Sequence, residues 1–228
     1  AEAAVAAPQL RLVSFNVQAS NPAKPEVMDY LRNSDADLVF LLESSIDWED
    51  AISRAALPFT MVAGPPEDRT FGITALARND VIARVVRLGL TNEPGVEVTL
   101  DVGDRQVQVL AIHPLSPTSS NRSGGRDAVI QSAAIWARSR TVPVVVVGDL
   151  NATPWSHAFG TLAGDGDLVN SLDGFGLQPT WPAGLPWFAI PIDHLLHSDQ
   201  LTTVDRGTGP ANGSDHRPLE VTLAFAAG

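Results

Sequence analysis

Two short apolar runs constrain this chain more than any other feature. Leu38–Leu42 holds no polar residue and ends in Glu43, and Val142–Val147 is interrupted only by Pro143 before Gly148-Asp149-Leu150-Asn151. A run of this kind reads as a strand covered on both faces, because a half-exposed strand alternates apolar and polar residues. Covered strands require layers on either side, which points to an α/β architecture. Alternating stretches occur too. Leu10–Val17 reads as a strand, and Gly72–Arg78, Val81–Leu88, Val96–Val102 and Val107–His113 read as an antiparallel meander. Its turn signals are Asn79-Asp80, Pro94-Gly95 and Gly103-Asp104. Ile190–Leu196 and Pro218–Phe225 are predicted as the last strands. Helices are predicted from Pro25, over Trp48–Leu57, and over Gly125–Ser139 after a polar loop at Ser116–Gly124. These are too few for a doubly wound parallel sheet. The expectation is two mixed β-sheets packed face to face with helices outside, in one domain over residues 10–228.

Charge and cysteine content narrow the function. Among 228 residues there are 26 acidic and 15 basic side chains, a formal charge of −11, with Lys24 the one lysine. Such a surface repels polyanions at long range and argues against a basic-groove nucleic-acid binder. It leaves open an enzyme that captures phosphate locally through a metal ion. With no cysteine, thiolate zinc sites, disulfides and cysteine nucleophiles are excluded. No apolar run approaches the ~20 residues that a membrane-spanning helix needs. The small-residue stretch at the start, residues 1–9, reads as a linker or tether remnant, or as an arbitrary chain boundary.

Residues suited to acid–base and metal chemistry stand beside the apolar runs. Asn16 follows Phe15, Glu43 follows Leu42, His113 follows Ile112, and Asp149 and Asn151 follow the valine run. Asp193 follows Ile192, and Asp215 and His216 precede the last strand. Each is weak alone, but together they predict one mouth lined by carboxylates, amides and imidazoles. His194 and His197 lie three apart in a strand and face opposite sides, so they are not expected to form a metal pair. His157 is expected at the surface. Trp181, Trp187 and Phe188 sit in a proline-rich loop near that mouth, where they would contact a substrate's lipid or base or pack down the loop itself.

In order, Ser14-Phe15-Asn16-Val17, Leu41-Leu42-Glu43, His113-Pro114, Gly148-Asp149-Leu150-Asn151, Ile192-Asp193-His194 and Gly213-Ser214-Asp215-His216 resemble the motifs of the endonuclease/exonuclease/phosphatase superfamily. That superfamily includes DNase I, exonuclease III, neutral sphingomyelinases and inositol polyphosphate 5-phosphatases. The resemblance spans Leu10 to Phe225 and implies a four-layer α/β sandwich. It also implies a Mg²⁺-dependent hydrolase of phosphoester bonds, with Mn²⁺ as a substitute. Glu43, Asn16 and Asp215 would be the metal-site residues. His216 would be the general base oriented by Asp193. Asp149 would position the attacking water or pass a proton, Asn151 would donate to a phosphate oxygen, and His113 would stabilise the transition state or protonate the leaving group. Asn151, His113 and Trp181 would contact substrate.

The histidine at 113 resembles the branch containing DNase I and the sphingomyelinases. Tyr30, the one tyrosine, lies in the first predicted helix, so the tyrosine of abasic-site repair enzymes has no counterpart. The segment around Thr180-Trp181-Pro182 resembles a bacterial membrane-tethered branch linked to glycopeptide resistance. From this follows the expectation of a domain acting outside the cytoplasmic membrane, tethered or secreted, with a cytoplasmic location left open, on a small or lipid-linked phosphate ester or pyrophosphate; a monomer is expected. Any membrane attachment would come from a segment outside this chain. The competing readings are a non-specific DNase I-like endonuclease and a catalytically silent binding module, the latter disfavoured because all six motifs are intact.

Overall fold

The computed structural model describes residues 8–64, 72–90 and 92–226. Residues 1–7 of the expected linker lie outside that range. Strand β1 (Gln9–Asn16) runs parallel to β2 (Leu38–Leu42), with helix α1 (Lys24–Arg32) between them in sequence. After α2 (Ile46–Arg54) come β3 (Thr60–Ala63) and β4 (Ile73–Ala77). Then β5 (Ile82–Leu88), β6 (Glu93–Val102) and β7 (Arg105–Ile112) form antiparallel hairpins, and α3 (Ser120–Arg138) leads to β8 (Val144–Asp149), parallel to β7. Helix α4 (His157–Gly166), β9 (Val169–Asn170), β10 (Asp193–His197), β11 (Leu201–Thr208) and β12 (Leu219–Phe225) complete the chain. One sheet has the order β11-β12-β1-β2-β4-β3, the other β5-β6-β7-β8-β10-β9.

The period-two geometry of strands sorts each into two faces. Leu10, Leu12, Leu38, Phe40 and Leu42 from one sheet meet Val107, Val109, Val145, Val147 and Leu195 from the other in a shared core. The alternate residues Val13, Phe15, Val39 and Leu41 pack with Val27, Leu31, Trp48 and Ile52 of α1 and α2. On the opposite side Leu110, Ile112, Val144, Val146 and Leu196 pack with residues of α3 and α4 such as Ile130, Ala133 and Phe159. The result is the expected helix–sheet–sheet–helix sandwich. No helix among the described residues is long and apolar enough to cross a membrane.

The details differ from the sequence pattern in four places. The four-strand meander is split, because β4 pairs with β2 while β5 belongs to the other sheet, so Asn79-Asp80 marks a crossing between sheets and not a hairpin. Pro94-Gly95 lies inside β6, with Pro94 opposite Arg87 and Gly95 opposite both Val86 and Ile112. Proline is tolerated there because β7 pairing begins only at Gly95, so Pro94 has a strand neighbour on one side alone. Helix α3 starts earlier than expected because the Ser119 hydroxyl caps it, accepting from the Arg122 amide at 3.4 Å. Strands β3, β9 and β11 were not expected. All three are sheet edges with partly exposed residues, and a bulge between Thr203 and Asp205 breaks the alternation of β11.

Gly148 shows why the strand before the mouth must carry a glycine. Its φ of 144° is a conformation closed to other residues, and a Cβ there would overlap the Ile112 carbonyl on β7. Gly148→Ala should therefore destabilise the fold by about 3 kcal/mol or more. A urea-unfolding midpoint unchanged from the parent would contradict this packing.

Candidate active site

Strand direction gathers the polar residues. The C-terminal ends of the parallel pairs β1/β2 and β7/β8 lie at one end of the sandwich, and β10 and β12, running antiparallel to β8 and β1, begin there. Asp193 thus opens its strand, in register with Asp149, which closes β8. Strand parity sets the direction of each side chain. Asn16 follows Leu10, Leu12 and Ser14 on the inter-sheet face of β1. His113 follows Val109 and Ala111, Asp149 follows Val145 and Val147, and Asp193 shares the parity of Leu195. These polar residues therefore continue the apolar inter-sheet layer to its open end. Glu43 leaves this pattern through a left-handed φ of 55°, and Asn151 likewise has a φ of 48°. Such conformations cost about 1 kcal/mol or more and persist where the surrounding structure holds them.

A cavity of about 380 Å³ opens there, lined by Glu43, His113, Asp149, Asn151, Trp181 and His216, with Asp215, Ile190 and Ile192 also on its wall. Asn16 joins the two sheets across it. Its Nδ2 donates to Glu43 Oε1 at 3.0 Å and to Asp149 Oδ2 at 3.2 Å. His113 Nε2 stands 3.5 Å from Asp149 Oδ2 and 3.9 Å from Glu43 Oε1. His216 Nδ1 is bonded to Asp193 Oδ2 at 2.9 Å, which leaves Nε2 toward the cavity, 3.7 Å from Asp149 Oδ2. All nine residues singled out in the sequence meet at this mouth. Asp193 lies fully buried behind His216, Asp215 Oδ2 accepts from the Trp181 indole at 3.1 Å, and Asn151 commits an amide hydrogen to the Pro114 carbonyl at 3.1 Å.

Residues that sequence reasoning passed over hold this arrangement. The buried Thr180 hydroxyl accepts from the amides of Ile192 and Asp193, both at 3.3 Å. Ser214 donates to the Asn16 carbonyl at 2.7 Å and accepts from the His216 amide at 3.1 Å, tying one dyad residue to β1. Both stand in quoted motifs, but only the folded chain reveals what they touch. His194 and His197 do face opposite sides. His194 points into the helix-side core beside Phe159, ring centroids 4.8 Å apart, and pairs with the Ala152 carbonyl at 2.8 Å. His157 is exposed.

Electrostatics follow from burial and these contacts. Burial opposes charging His216, yet the Asp193 carboxylate outweighs it, with Asp149 and Asp215 adding to the effect, and its pKa rises to about 10. His113 is also raised, the Asp149 hydrogen bond and the charges of Asp149 and Glu43 overcoming desolvation. Asp149 is lowered to about 2, since its histidine partners and the Asn151 amide at 2.9 Å overcome burial. In His194 burial prevails, and its pKa falls to about 4.

The oxygens of Glu43 and Asp149, brought together on one amide, form a hard donor set suited to Mg²⁺ or a similar dication. A second grouping also exists among the described residues: atoms of Asp149, Asp193 and His216 lie within 4.8 Å of one another. A cation held by that trio would compete with His216 for Asp193 Oδ2, so Glu43 and Asp149 are the better fit.

The model of the Endonuclease/Exonuclease/phosphatase family matches residues 13–216. A sequence search of curated proteins gives no match. The fold is shared with D. rerio TDP2 complexed with single-strand DNA product, at 13% identity and TM-score 0.80, covering 95% of this chain and 99% of that one. The human Nocturnin catalytic domain with bound sulfate gives 17% identity and TM-score 0.74, covering 96% of each chain. Sphingomyelinase C from Streptomyces griseocarneus gives 18% and 0.65, covering 96% of this chain and 100% of that one.

Two pH effects of opposite sign follow. His194 is neutral in the fold, so the unfolded chain takes up its proton first, and stability drains away as pH falls from 6.5 toward 4. The loss is roughly 3 kcal/mol, measurable by urea unfolding at both ends, and should flatten in His194→Gln. His216 holds its proton in the fold, so its contribution is complete below 6.5 and lost as pH rises through about 10. An NMR titration of metal-free protein should show this raised pKa, and Asp193→Asn should bring it down; an imidazole titrating near 6.5 in the parent would refute the pairing.

Proposed function

The chain belongs to the Endonuclease/Exonuclease/phosphatase family, and on that premise we propose that it is a divalent-metal-dependent phosphoesterase. It hydrolyses a phosphate ester or pyrophosphate of a small or lipid-linked compound. The observation that carries this reading is the buried His216–Asp193 pair facing Asp149 and Glu43 across one cavity. A cavity of about 380 Å³ is of the size that takes a small molecule or one headgroup. Its wall contains no lysine or arginine, which disfavours a nuclease gripping a polyanion without a cation.

Glu43 and Asp149, supported by Asn16, would hold the dication, most simply Mg²⁺; Asp215 lies near enough to join or to serve Trp181. When bound, the ion supplies positive charge that offsets these carboxylates and draws phosphate oxygens into the cavity. The chain's own residues do the rest. Asp193 fixes the tautomer and ring plane of His216, leaving Nε2 to accept a proton from water aligned with phosphorus. Its raised pKa means that base chemistry needs the surrounding negative charge offset first. Asp149, ionised, orients the water. As the phosphorus–oxygen bond breaks, His113 Nε2 delivers a proton to the departing oxygen. The remaining amide hydrogen of Asn151 is available to a phosphate oxygen.

His216→Ala and Glu43→Ala should each lower metal-dependent turnover roughly 10²–10⁴-fold; Glu43→Ala should keep an unfolding midpoint near the parent's, whereas His216→Ala should unfold earlier because buried Asp193 loses its counter-ion. Chelation by EDTA should abolish turnover. The decisive assay compares DNA, RNA, sphingomyelin, inositol phosphates and polyprenyl pyrophosphates with Mg²⁺ or Mn²⁺. Plasmid nicking that dominates that panel would favour the endonuclease reading, whereas retained activity in either variant would overturn the mechanism.

A further inference from the structure

The loop between Trp181 and Ile190 is closed by a two-residue antiparallel bridge, Trp181 and Ile190 exchanging amide hydrogen bonds at 3.1 and 2.6 Å. Both closing residues line the cavity. The loop is further anchored where the Ala183 amide meets the Asp215 carbonyl at 2.7 Å, and it contains a 3-10 turn at Pro186–Phe188. Within this braced frame Leu185, Trp187 and Phe188 are 58%, 93% and 77% exposed. Other exposed large apolar residues, such as Ile82 in β5, Leu90 after it and Ile135 in α3, lie apart from one another in the chain. Isolated ones are ordinary; three within four residues beside a cavity form a patch that calls for a partner.

Charge identifies the partner. From Gly174 to Ile192 there is no ionisable side chain, and no lysine or arginine occurs between Arg140 and Arg206, in a chain of net charge −11. A stacking platform for single-stranded nucleic acid pairs its aromatics with basic residues along the backbone, and none is present in this stretch. An anionic bilayer would likewise find no cation within this stretch. An uncharged cluster of Trp, Phe and Leu with proline-stiffened backbone suits the boundary between headgroups and acyl chains, where aromatic side chains settle.

We propose that Leu185, Trp187 and Phe188 form an interfacial docking ridge that seats this protein on a zwitterionic lipid surface, with the cavity mouth facing the headgroups. The ridge deepens the reading of the site as a phosphoesterase and rests on it for its purpose, since a lipid-borne phosphate would reach Glu43 and His216 without leaving the bilayer.

The test is sedimentation of the whole protein with phosphatidylcholine vesicles, read without turnover. The parent and the inactive Glu43→Ala variant should bind alike. The double variant Trp187→Ala/Phe188→Ala should bind at least about tenfold more weakly while hydrolysing a soluble p-nitrophenyl phosphodiester at the parental rate. Equal binding of parent and double variant, or no binding by the parent, overturns the ridge. So does a dimer, detected by light scattering, that dissociates in the double variant, because a second copy would then cover the patch. Oligonucleotide binding lost in that variant would also overturn it. A protein that binds vesicles yet hydrolyses no phosphate ester overturns the phosphoesterase reading alone. One that hydrolyses the soluble ester but ignores vesicles overturns the docking ridge alone.

Discussion

Everything in this molecule depends on the dry contact between its two sheets. Leu12, Phe40 and Leu42 on one side and Val109, Val145 and Val147 on the other remove a large apolar area from water, each buried side chain contributing roughly 1.5–3 kcal/mol. Close packing permits little sliding, so the strand ends of both sheets are held at a fixed separation. That separation lets Asn16, on one sheet, reach Asp149 on the other. The site is thus the open end of the core, where the same parity that buries valines presents carboxylates and imidazoles.

Placing four acidic groups at such an end carries an electrostatic cost. Asp149 and Asp193 are essentially without solvent contact, and a buried carboxylate is stable only with hydrogen bonds or a compensating charge. The metal-free fold supplies compensation from within: His216 charges against Asp193, and His113 leans on Asp149 and Glu43. The two imidazoles therefore serve as internal counter-ions. A dication held by the same carboxylates would compete with these imidazoles, so occupancy of the site by metal would depend on pH.

Much of this was legible from the chain. The unbroken run Leu38–Leu42 demanded cover on both faces, and alternation in β1 and β7 assigned a face to each residue. The six polar signatures beside the runs named the carboxylates, imidazoles and Asn151 that line the cavity, and Asn16 and Asp193 behind it. What escaped detection had weaker local patterns. Edge strand β11 is half wet and bulged, so its alternation is blurred. The split between β4 and β5 depends on which sheet offers a partner, and Asn79-Asp80 looks the same as a hairpin turn or as a crossing.

By itself, then, the sequence determined which residues are buried, which face they take and which polar side chains gather at the mouth, because these follow from period, polarity and residue type over a few neighbours. Only the tertiary structure decided that Asn16 bridges two sheets, that Asp193 stands buried behind His216 and bonded to its Nδ1, and that Trp187 and Phe188 are left in solvent. Those outcomes join residues as far apart as Asn16 and Asp149, 133 positions in the chain. Contacts of that separation are set by how whole layers pack, which no local pattern encodes.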